Sequence, residues 1–460
     1  MQVPPVQFDL PTEKVDPPLT RMPWVWLLSI LVFGFIIVSS LLIHDKESPL
    51  KSKTENSKEK MLEMQLSLRS MVPEPKSDRN ARMFDAQIDE LLVPSKKDAH
   101  AQKLRIVLRK EDRQVPFNDD IKNLAKSANS EDQAFAKLFS EPAPKKEEAM
   151  ALLKQIDGNE VSEKLATVQV KESFGDKEIR SKTFDPTQVY GIAVIGLGVM
   201  VGIGIGMVLW YVYLFQRQAG RLLPKGLPLA NIDLAQAERL MFVALITIST
   251  YVLSSVVLAK LLPKSVPGIE LLGYAPIFVV IAICLNVPIF GWKITAKSIG
   301  LSFEKFPEKV GWAFAAFFAN MPILILFILF TAALSQYLPG GGHPASEALL
   351  KNPTPFEIAK IAFLACIIAP IWEEIFFRGI LFPAFAKAFG KPIWGALLSS
   401  FIFASIHPQG FLGVPVLMGI ALMLCAVSYQ TKSLVSNMIL HGLHNGATLT
   451  AALLLAPLFA

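Results

Sequence analysis

The feature that most limits how this chain can fold is a series of long apolar stretches. The first covers residues 24–43, and others follow one another from residue 189 to the end of the 460-residue sequence. About 20 apolar residues are enough to cross a bilayer as an α-helix. Because 52% of the residues are hydrophobic and only 18% are charged, the composition excludes a purely soluble globular enzyme and a chain that is disordered throughout.

The stretch 24–43 is longer than most signal-peptide cores, and no small-residue cleavage site follows its end, Leu-Leu-Ile-His-Asp. We therefore interpret it as a retained single-span anchor. The later stretches predict about eight further spans, so the fold class is all-α, a polytopic membrane helical bundle. These spans cover residues 189–214, 240–261, 272–290, 310–334, 356–386, 393–406, 414–429 and 434–459.

Residues 44–188 have a different character. They contain 27 Lys and Arg against 27 Asp and Glu, and their net charge is therefore zero. Apolar residues recur at helical spacing in 61–68, 88–92 and 149–156, and prolines separate these stretches. The pattern predicts a soluble, mostly helical domain; an extended, partly disordered helical spacer is the alternative. No chemical motif occurs in it, and a protein partner is a hypothesis for residues 44–188.

The positive charge lies in short loops between the apolar stretches, which indicates membrane topology and not a nucleic-acid partner. One alternating set of loops holds eleven Lys and Arg, and the other set holds only three. The positive-inside rule then makes the tail, residues 1–23, cytoplasmic and the 44–188 domain extracytoplasmic. The eleven are Arg217, Arg221, Lys225, Arg239, Lys293, Lys297, Lys305, Lys309, Lys387, Lys391 and Lys432; the three are Lys260, Lys264 and Lys351.

Three ionisable residues interrupt one apolar stretch, in the run 371–379. Charged groups at such depth are costly and tend to face a polar cavity. Glu374 and Arg378 are four residues apart, so they share a helix face and can pair. Glu373 points about 100° away from Glu374 and remains available as a base. The alternative is that the run forms a structural intramembrane salt bridge.

Further polar residues follow in later stretches. His407 ends the stretch 393–406, and His441 and Asn445 lie four residues apart early in the last one. Counted along their helices, these residues and Glu373 lie roughly 14–24 Å from cytoplasmic lysines, at a common depth that predicts one site. No glutamate follows His441, so the run around it is not the His-Glu-x-x-His zinc signature.

In this order, the motifs Glu373-Glu374-x-x-x-Arg378, Phe403-x-x-x-His407 and His441-x-x-x-Asn445 resemble those of the CAAX-protease and bacteriocin-processing (CPBP) family of intramembrane proteases. The resemblance covers about residues 310–460. It implies that Glu373 and His407 activate a water molecule, that His441 and Asn445 stabilise the oxyanion, and that Glu374 and Arg378 support the site. Members are often called metalloproteases; zinc, if present, would be bound by Glu373, His407 and His441.

We therefore expect a multi-pass intramembrane endopeptidase of a bacterial plasma membrane that cleaves a peptide or a membrane protein near the bilayer. A non-proteolytic membrane scaffold or regulator with a partner-binding outer domain is the alternative. A proton-coupled transporter is a third hypothesis, but the sequence shows no inverted repeat. The glycine-rich run 196–206 indicates close helix packing, since it lies within an apolar span and departs from the dinucleotide-binding spacing.

Overall fold

The computed structural model describes residues 19–46, 99–111, 118–156, 160–176, 178–183, 187–229, 231–261, 274–288, 291–335, 337 and 353–455. These residues form helices and no β-strand. The predicted amphipathic stretches 61–68 and 88–92 lie outside the described residues. Two compact units are present. Among described residues, the first contains 19–46, 200–335 and 353–449, and the second contains 99–199 and 450–455.

The helices are numbered here in chain order. The first seven are α1 (Trp24–Lys46), α2 (Ala99–Glu111), α3 (Asn118–Ala125), α4 (Ser130–Leu138), α5 (Lys146–Leu153), α6 (Val161–Ser173) and α7 (Ile179–Thr183). Those that follow are α8 (Thr187–Gln218), α9 (Leu234–Leu261), α10 (Ala275–Asn286), α11 (Phe306–Leu334), α12 (Pro355–Ala388), α13 (Pro392–Ser405), α14 (Gly410–Thr431) and α15 (Leu434–Leu455).

Helices α2 to α7 surround an apolar core of their own, in which Ile106, Phe135 and Leu165 are fully buried. The predicted amphipathic stretch 149–156 is confirmed in part: its first five residues lie in α5, and Ala149, Leu152 and Ile156 are buried in this core, whereas Met150 is exposed. Lys103 is also buried, and its Nζ lies 3.0 Å from an Asp132 oxygen and 3.1 Å from a Glu163 oxygen. Burial alone would lower the pKa of Lys103, but the hydrogen bonds to these carboxylates raise it above its usual value.

In the part of the chain that the structure describes, five helices are long and apolar enough to cross a membrane. They are Ala193–Gln218, Leu234–Ser255, Phe306–Leu334, Pro355–Ala388 and Gly410–Thr431. Three shorter apolar helices, Trp24–Ser40, Ala275–Asn286 and Pro392–Ser405, match other predicted spans. The protein is therefore an integral membrane protein built from helices, and the full count of about eight spans and an anchor stays a prediction.

Helix α1 is packed into the bundle and does not stand apart from it as the word anchor implies. The fully buried Glu238 carboxylate of α9 accepts hydrogen bonds from Arg21 Nη2 at 2.8 Å and from the Met22 backbone N–H at 2.6 Å. Further along α1, the Phe33 ring lies 6.4 Å from the Phe376 ring of α12. The sequence did not reveal this packing because Arg21 and Glu238 are 217 residues apart.

Helix α12 contains two π-helical segments, Leu364–Ile368 and Ile375–Leu381. Each ends two residues before a proline, Pro370 or Pro383. A proline within a helix has no N–H to donate and collides with the carbonyl four residues earlier. A wider turn, with hydrogen bonds five residues apart, avoids that collision. The prolines therefore account for the two π segments, and these segments bracket Glu373 and Glu374.

The glycine-rich run of α8 allows a close approach to α11. A Cβ atom on Gly206 would lie 2.2 Å from the Phe318 carbonyl oxygen, and one on Gly202 would lie 2.1 Å from Met321 Sδ. One turn beyond Gly206, the Trp210 indole Nε1 donates to the Ala319 carbonyl at 2.7 Å. The sequence interpretation of this run as a packing motif is confirmed at Gly202 and Gly206, whereas a Cβ atom on Gly196, Gly198 or Gly204 would meet nothing within 4 Å.

We expect Gly206→Ala to destabilise the protein by about 1–3 kcal/mol, because the added methyl group collides with backbone that cannot move away easily. Thermal unfolding of the detergent-purified protein measures the effect. Gly204→Ala is the matched control, since a Cβ atom there meets nothing within 4 Å. Equal melting temperatures for the two variants would contradict the close packing of α8 against α11.

We expect Lys103→Met to destabilise the unit formed by α2 to α7 by about 3–5 kcal/mol, because Asp132 and Glu163 would remain buried without their cation. Hydrogen exchange in the full-length protein, followed in α2 and α6, measures the loss. Lys137→Met removes the same charge from an exposed position of α4 and serves as the control. Unchanged protection in Lys103→Met would show that the buried cluster does not stabilise this unit.

Candidate active site

The centre of the site is an ion pair within α12 that is buried completely. Arg378 Nη1 donates to Glu374 Oε1 at 2.9 Å, and neither side chain is exposed. The predicted pairing at a spacing of four residues is therefore confirmed. Arg378 Nη2 also donates to the Ala421 carbonyl of α14 at 3.2 Å. A charged pair shielded from water needs further hydrogen bonds for stability. Helix α14 provides one at Nη2, whereas the buried Nε of Arg378 has no partner among the described residues.

Helix α15 completes the surroundings of Glu374. His441 Nδ1 lies 2.9 Å from Glu374 Oε1, and Asn437 Nδ2 donates to Glu374 Oε2 at 3.3 Å and to the Leu424 carbonyl at 2.9 Å. An ionised carboxylate only accepts, so Nδ1 of His441 carries the hydrogen. Glu374 thereby fixes the tautomer and the orientation of the imidazole, in the way that an acidic residue orients a catalytic histidine.

Glu373 lies in very different surroundings from its neighbour. Its side chain is 12% exposed, and its Oε2 atom is buried without a hydrogen-bond partner among the described residues. Nε2 of His441 lies 3.7 Å from this oxygen, which is too long for a direct hydrogen bond. Two adjacent carboxylates thus have separate environments: one is fully compensated, and the other presents an oxygen that can take a proton.

The Phe403 ring of α13 contacts three polar side chains of the site. Its centroid lies 4.8 Å from the Arg378 guanidinium carbon, 4.3 Å from the His407 ring and 5.7 Å from the His441 ring. A guanidinium over an aromatic face is a favourable contact, particularly when water is excluded. Phe403 therefore places His407 on the same side of the bundle as His441.

His407 lies just beyond the end of α13 and is half-buried. Its Nδ1 is 2.6 Å from the Phe403 carbonyl oxygen. A carbonyl only accepts, so Nδ1 carries the hydrogen and Nε2 is the acceptor nitrogen of the neutral ring. This tautomer suits a group that receives a proton at Nε2. The bond also satisfies a carbonyl of the last turn of the helix, which explains a histidine at this position.

Asn445 lies one turn beyond His441 and is held against the first π segment. Its Nδ2 donates to the Ala365 carbonyl at 2.7 Å. Gly442 lets the two helices meet there, because a Cβ atom on it would lie 2.5 Å from the Cys366 carbonyl oxygen. An amide group has two N–H bonds, so the second remains for a ligand after Ala365 has taken the first.

The structure brings the predicted residues together to different degrees. Glu373, Glu374, Arg378 and His441 form one contact network, His407 joins it through Phe403, and Asn445 is held by Ala365. His444 faces away from them towards α11, where its Nε2 lies 3.3 Å from Nδ2 of the buried Asn320.

The sequence leaves the metal open: a water molecule activated by a glutamate needs none, and Glu373, His407 and His441 are the ligands if zinc is present. No three His, Cys, Asp or Glu side chains of the described residues form a group that fits a metal ion. Nδ1 of His441 and Nδ1 of His407 bond to oxygen atoms of the protein, as also happens in histidines that bind a metal through Nε2, so these bonds do not argue against zinc. The placement of the three side chains is what does not fit a three-ligand zinc site.

Two contributors to the site were not identified from the sequence. Asn437 binds Glu374, and the Phe403 ring contacts both histidines. For Asn437 a signal was present, because Asn437, His441 and Asn445 recur every four residues and thus share one face of α15. For Phe403 the motif marked the position, but a phenylalanine in an apolar stretch carries no signal that separates it from ordinary packing.

Comparison with known families adds an independent finding. Residues 355–447 match the family model described as Type II CAAX prenyl endopeptidase Rce1-like. The match begins at α12 and ends within α15, so it contains the whole network around Glu374 and leaves out α11. No curated protein and no solved structure matches the chain. Residues 355–447 of the 460-residue chain are therefore similar to the CAAX prenyl endopeptidase Rce1-like, CPBP family.

Proposed function

We infer that this protein is an intramembrane endopeptidase that hydrolyses a peptide bond near the membrane with a water molecule activated by Glu373 and His407. The observation that carries the inference is the contrast between Glu374, which is fully paired, and Glu373, whose buried Oε2 has no hydrogen-bond partner among the described residues. A carboxylate oxygen held in this way beside an oriented histidine suits general-base chemistry.

In the first step, Glu373 removes a proton from the water molecule as its oxygen attacks the scissile carbonyl. The acceptor nitrogen of His407, Nε2, helps to hold that water, since Nδ1 is engaged with the Phe403 carbonyl. The proton then passes to the leaving amine, so the protein regains its starting state after each cleavage. The two groups take complementary roles, because one removes the proton and the other orients the attacking atom.

The oxyanion that forms in this step needs hydrogen-bond donors. Asn445 supplies its second amide N–H, and His441 supplies Nε2–H when the ring is protonated. Glu374 stabilises that imidazolium through the bond to Nδ1. Donors fixed in advance act strongly where water is scarce, since they need no reorganisation during the reaction. Glu374 and Arg378 act as positioning residues, since they reach the reacting atoms only through His441 and through the helix itself.

The substrate is a peptide or a segment of a membrane protein. The enzyme itself is a multi-pass protein of a bacterial plasma membrane. About eight C-terminal spans and the N-terminal helix form its membrane part, with an extracytoplasmic 44–188 domain that binds a protein partner. The scaffold alternative draws on the fact that Glu374 connects α12 with α15, and Arg378 connects α12 with α14. Both hypotheses use the same residues, so activity and stability must be measured separately.

We expect Glu373→Gln to abolish proteolysis while the protein stays folded, because the amide cannot take the proton from water. Removal of a general base lowers the rate by about 10²–10⁴-fold. Quantitative mass spectrometry compares protein termini in membranes that contain the wild-type protein or the variant at matched levels. Termini that depend on the wild-type protein also name its substrates.

The control for this prediction is Glu357→Gln. Glu357 is exposed in the first turn of α12, where it forms a capping box with Thr354, and glutamine preserves that role. We expect this control to keep the wild-type termini. If folded and abundant Glu373→Gln yields the same termini as the wild-type protein, the proteolytic assignment is wrong, and the scaffold hypothesis takes its place.

We expect Arg378→Met to destabilise the protein by about 3–5 kcal/mol, because Glu374 would remain buried without its cation. The double variant with Glu374→Gln should regain much of that loss, since no uncompensated charge is left. Thermal unfolding of the two single variants and the double variant measures the coupling. Additive losses would show that the pair does not act as a unit.

The double variant should fold and still lack activity, since His441 loses its carboxylate partner.

A further inference from the structure

A basic cavity of about 240 Å³ lies where three connecting segments meet. Five lysines line it: Lys225, Lys297, Lys305, Lys309 and Lys432. All five belong to the set that the positive-inside rule assigns to the cytoplasmic side. With Glu304 and Glu308 as the acidic lining residues, the formal charge of the cavity is 5 − 2 = +3. A cavity with this charge at the end of membrane helices attracts an anionic group.

Ion pairs between residues that line the cavity neutralise only part of its positive charge. Lys225 lies 3.2 Å from Glu308, and Lys297 lies 3.2 Å from Glu304. Lys305 and Lys432 have no acidic partner within salt-bridge distance among the described residues. The backbone holds Lys432 in place, because Gly300 accepts a hydrogen bond from the Leu434 N–H at 2.9 Å and a Cβ atom on Gly300 would lie 2.6 Å from the Lys432 carbonyl.

An apolar groove of about 220 Å³ adjoins this cavity. It runs between α8, α11 and α14, and Trp312 of α11 lines both spaces. Lys309, Trp312, Ala316 and Ala319 recur at intervals of three or four residues, so one face of α11 leads from the charged cavity into the groove. From Lys309 to Ala319 this face extends about 15 Å.

The few polar groups at the groove already bond to each other. The Tyr213 hydroxyl donates to Gln430 Oε1 at 3.0 Å, and Gln430 Nε2 donates to the Leu223 carbonyl at 3.1 Å. Alanines and aliphatic side chains make up most of the remaining surface. The groove therefore fits a hydrocarbon chain, and the polar recognition belongs to the basic cavity beside it.

We propose that the two spaces form one binding site for an anionic glycerophospholipid of the adjacent leaflet. Its phosphate lies between Lys305 and Lys432, its glycerol passes Trp312, and one acyl chain fills the groove beside Ala426. A tryptophan at the boundary between a charged and an apolar region suits the lipid interface. The site does not include the network around Glu374, so its occupancy and the proposed proteolysis can be tested separately.

Native mass spectrometry of the full-length protein tests this proposal. The protein is released from nanodiscs that contain equal amounts of phosphatidylglycerol and phosphatidylcholine with identical acyl chains. We expect the wild-type protein to retain phosphatidylglycerol preferentially. The double variant Lys305→Gln/Lys432→Gln should lower that preference by about 30-fold, since each lysine near a membrane surface contributes about 1 kcal/mol to anionic lipid binding.

Two controls separate a defined site from general attraction. Lys387→Gln/Lys391→Gln removes two exposed lysines of the same predicted side, outside the cavity, and should leave the preference unchanged. Ala426→Phe fills the groove from an exposed position and should weaken retention, whereas Leu326→Phe, at a residue that is 67% exposed on α11, should not. Thermal unfolding confirms that each variant is folded.

The proposal is wrong if the wild-type protein retains the two lipids equally, or if both lysine pairs lower retention to the same extent. An effect of the lysines without any effect of Ala426→Phe would indicate a headgroup or a soluble phosphate alone, and it would overturn the lipid assignment. Competition by soluble glycerol phosphate in that case identifies the smaller ligand.

Discussion

The pair formed by Glu374 and Arg378 is the interaction on which the rest of the bundle core depends. An apolar bundle accepts two full charges only when hydrogen bonds from neighbouring groups surround them. Arg378 therefore binds a carbonyl of α14, and Glu374 binds Asn437 and His441 of α15. The same bonds that make the charges tolerable fix the relative rotation of three helices. Stability and orientation of the proposed catalytic histidine have a common origin.

Sequence reasoning reached the features that are local along the chain. Helical character follows from apolar stretches of sufficient length, and the pairing of Glu374 with Arg378 follows from their spacing, since helix geometry alone places them on one face. The separate direction of Glu373 follows from the same geometry.

Features that join distant parts of the chain could not be derived in this way. The docking of α1 depends on Arg21 and Glu238, and the fixing of Asn445 depends on the Ala365 carbonyl 80 residues earlier. The sequence does not identify the partner of Glu238 or of Asn445, because a buried glutamate or amide can form hydrogen bonds with many different donors and acceptors. The role of Phe403 was hidden for a related reason: its ring matters through geometry, and its residue type is the commonest choice for simple packing.

The π segment Leu364–Ile368 has a consequence for how α12 presents its carboxylates. A π turn holds more residues than an α turn of the same height, so the chain beyond it is rotated relative to a regular helix. One residue corresponds to about 100° of rotation. The direction of Glu373 is thus determined partly by Pro370, several ångströms away. A homologue that lacked one residue between Phe363 and Pro370 would keep every site residue in its sequence. Its Glu373, Glu374 and Arg378 would nevertheless be rotated about the axis of α12 and would face a different neighbouring helix.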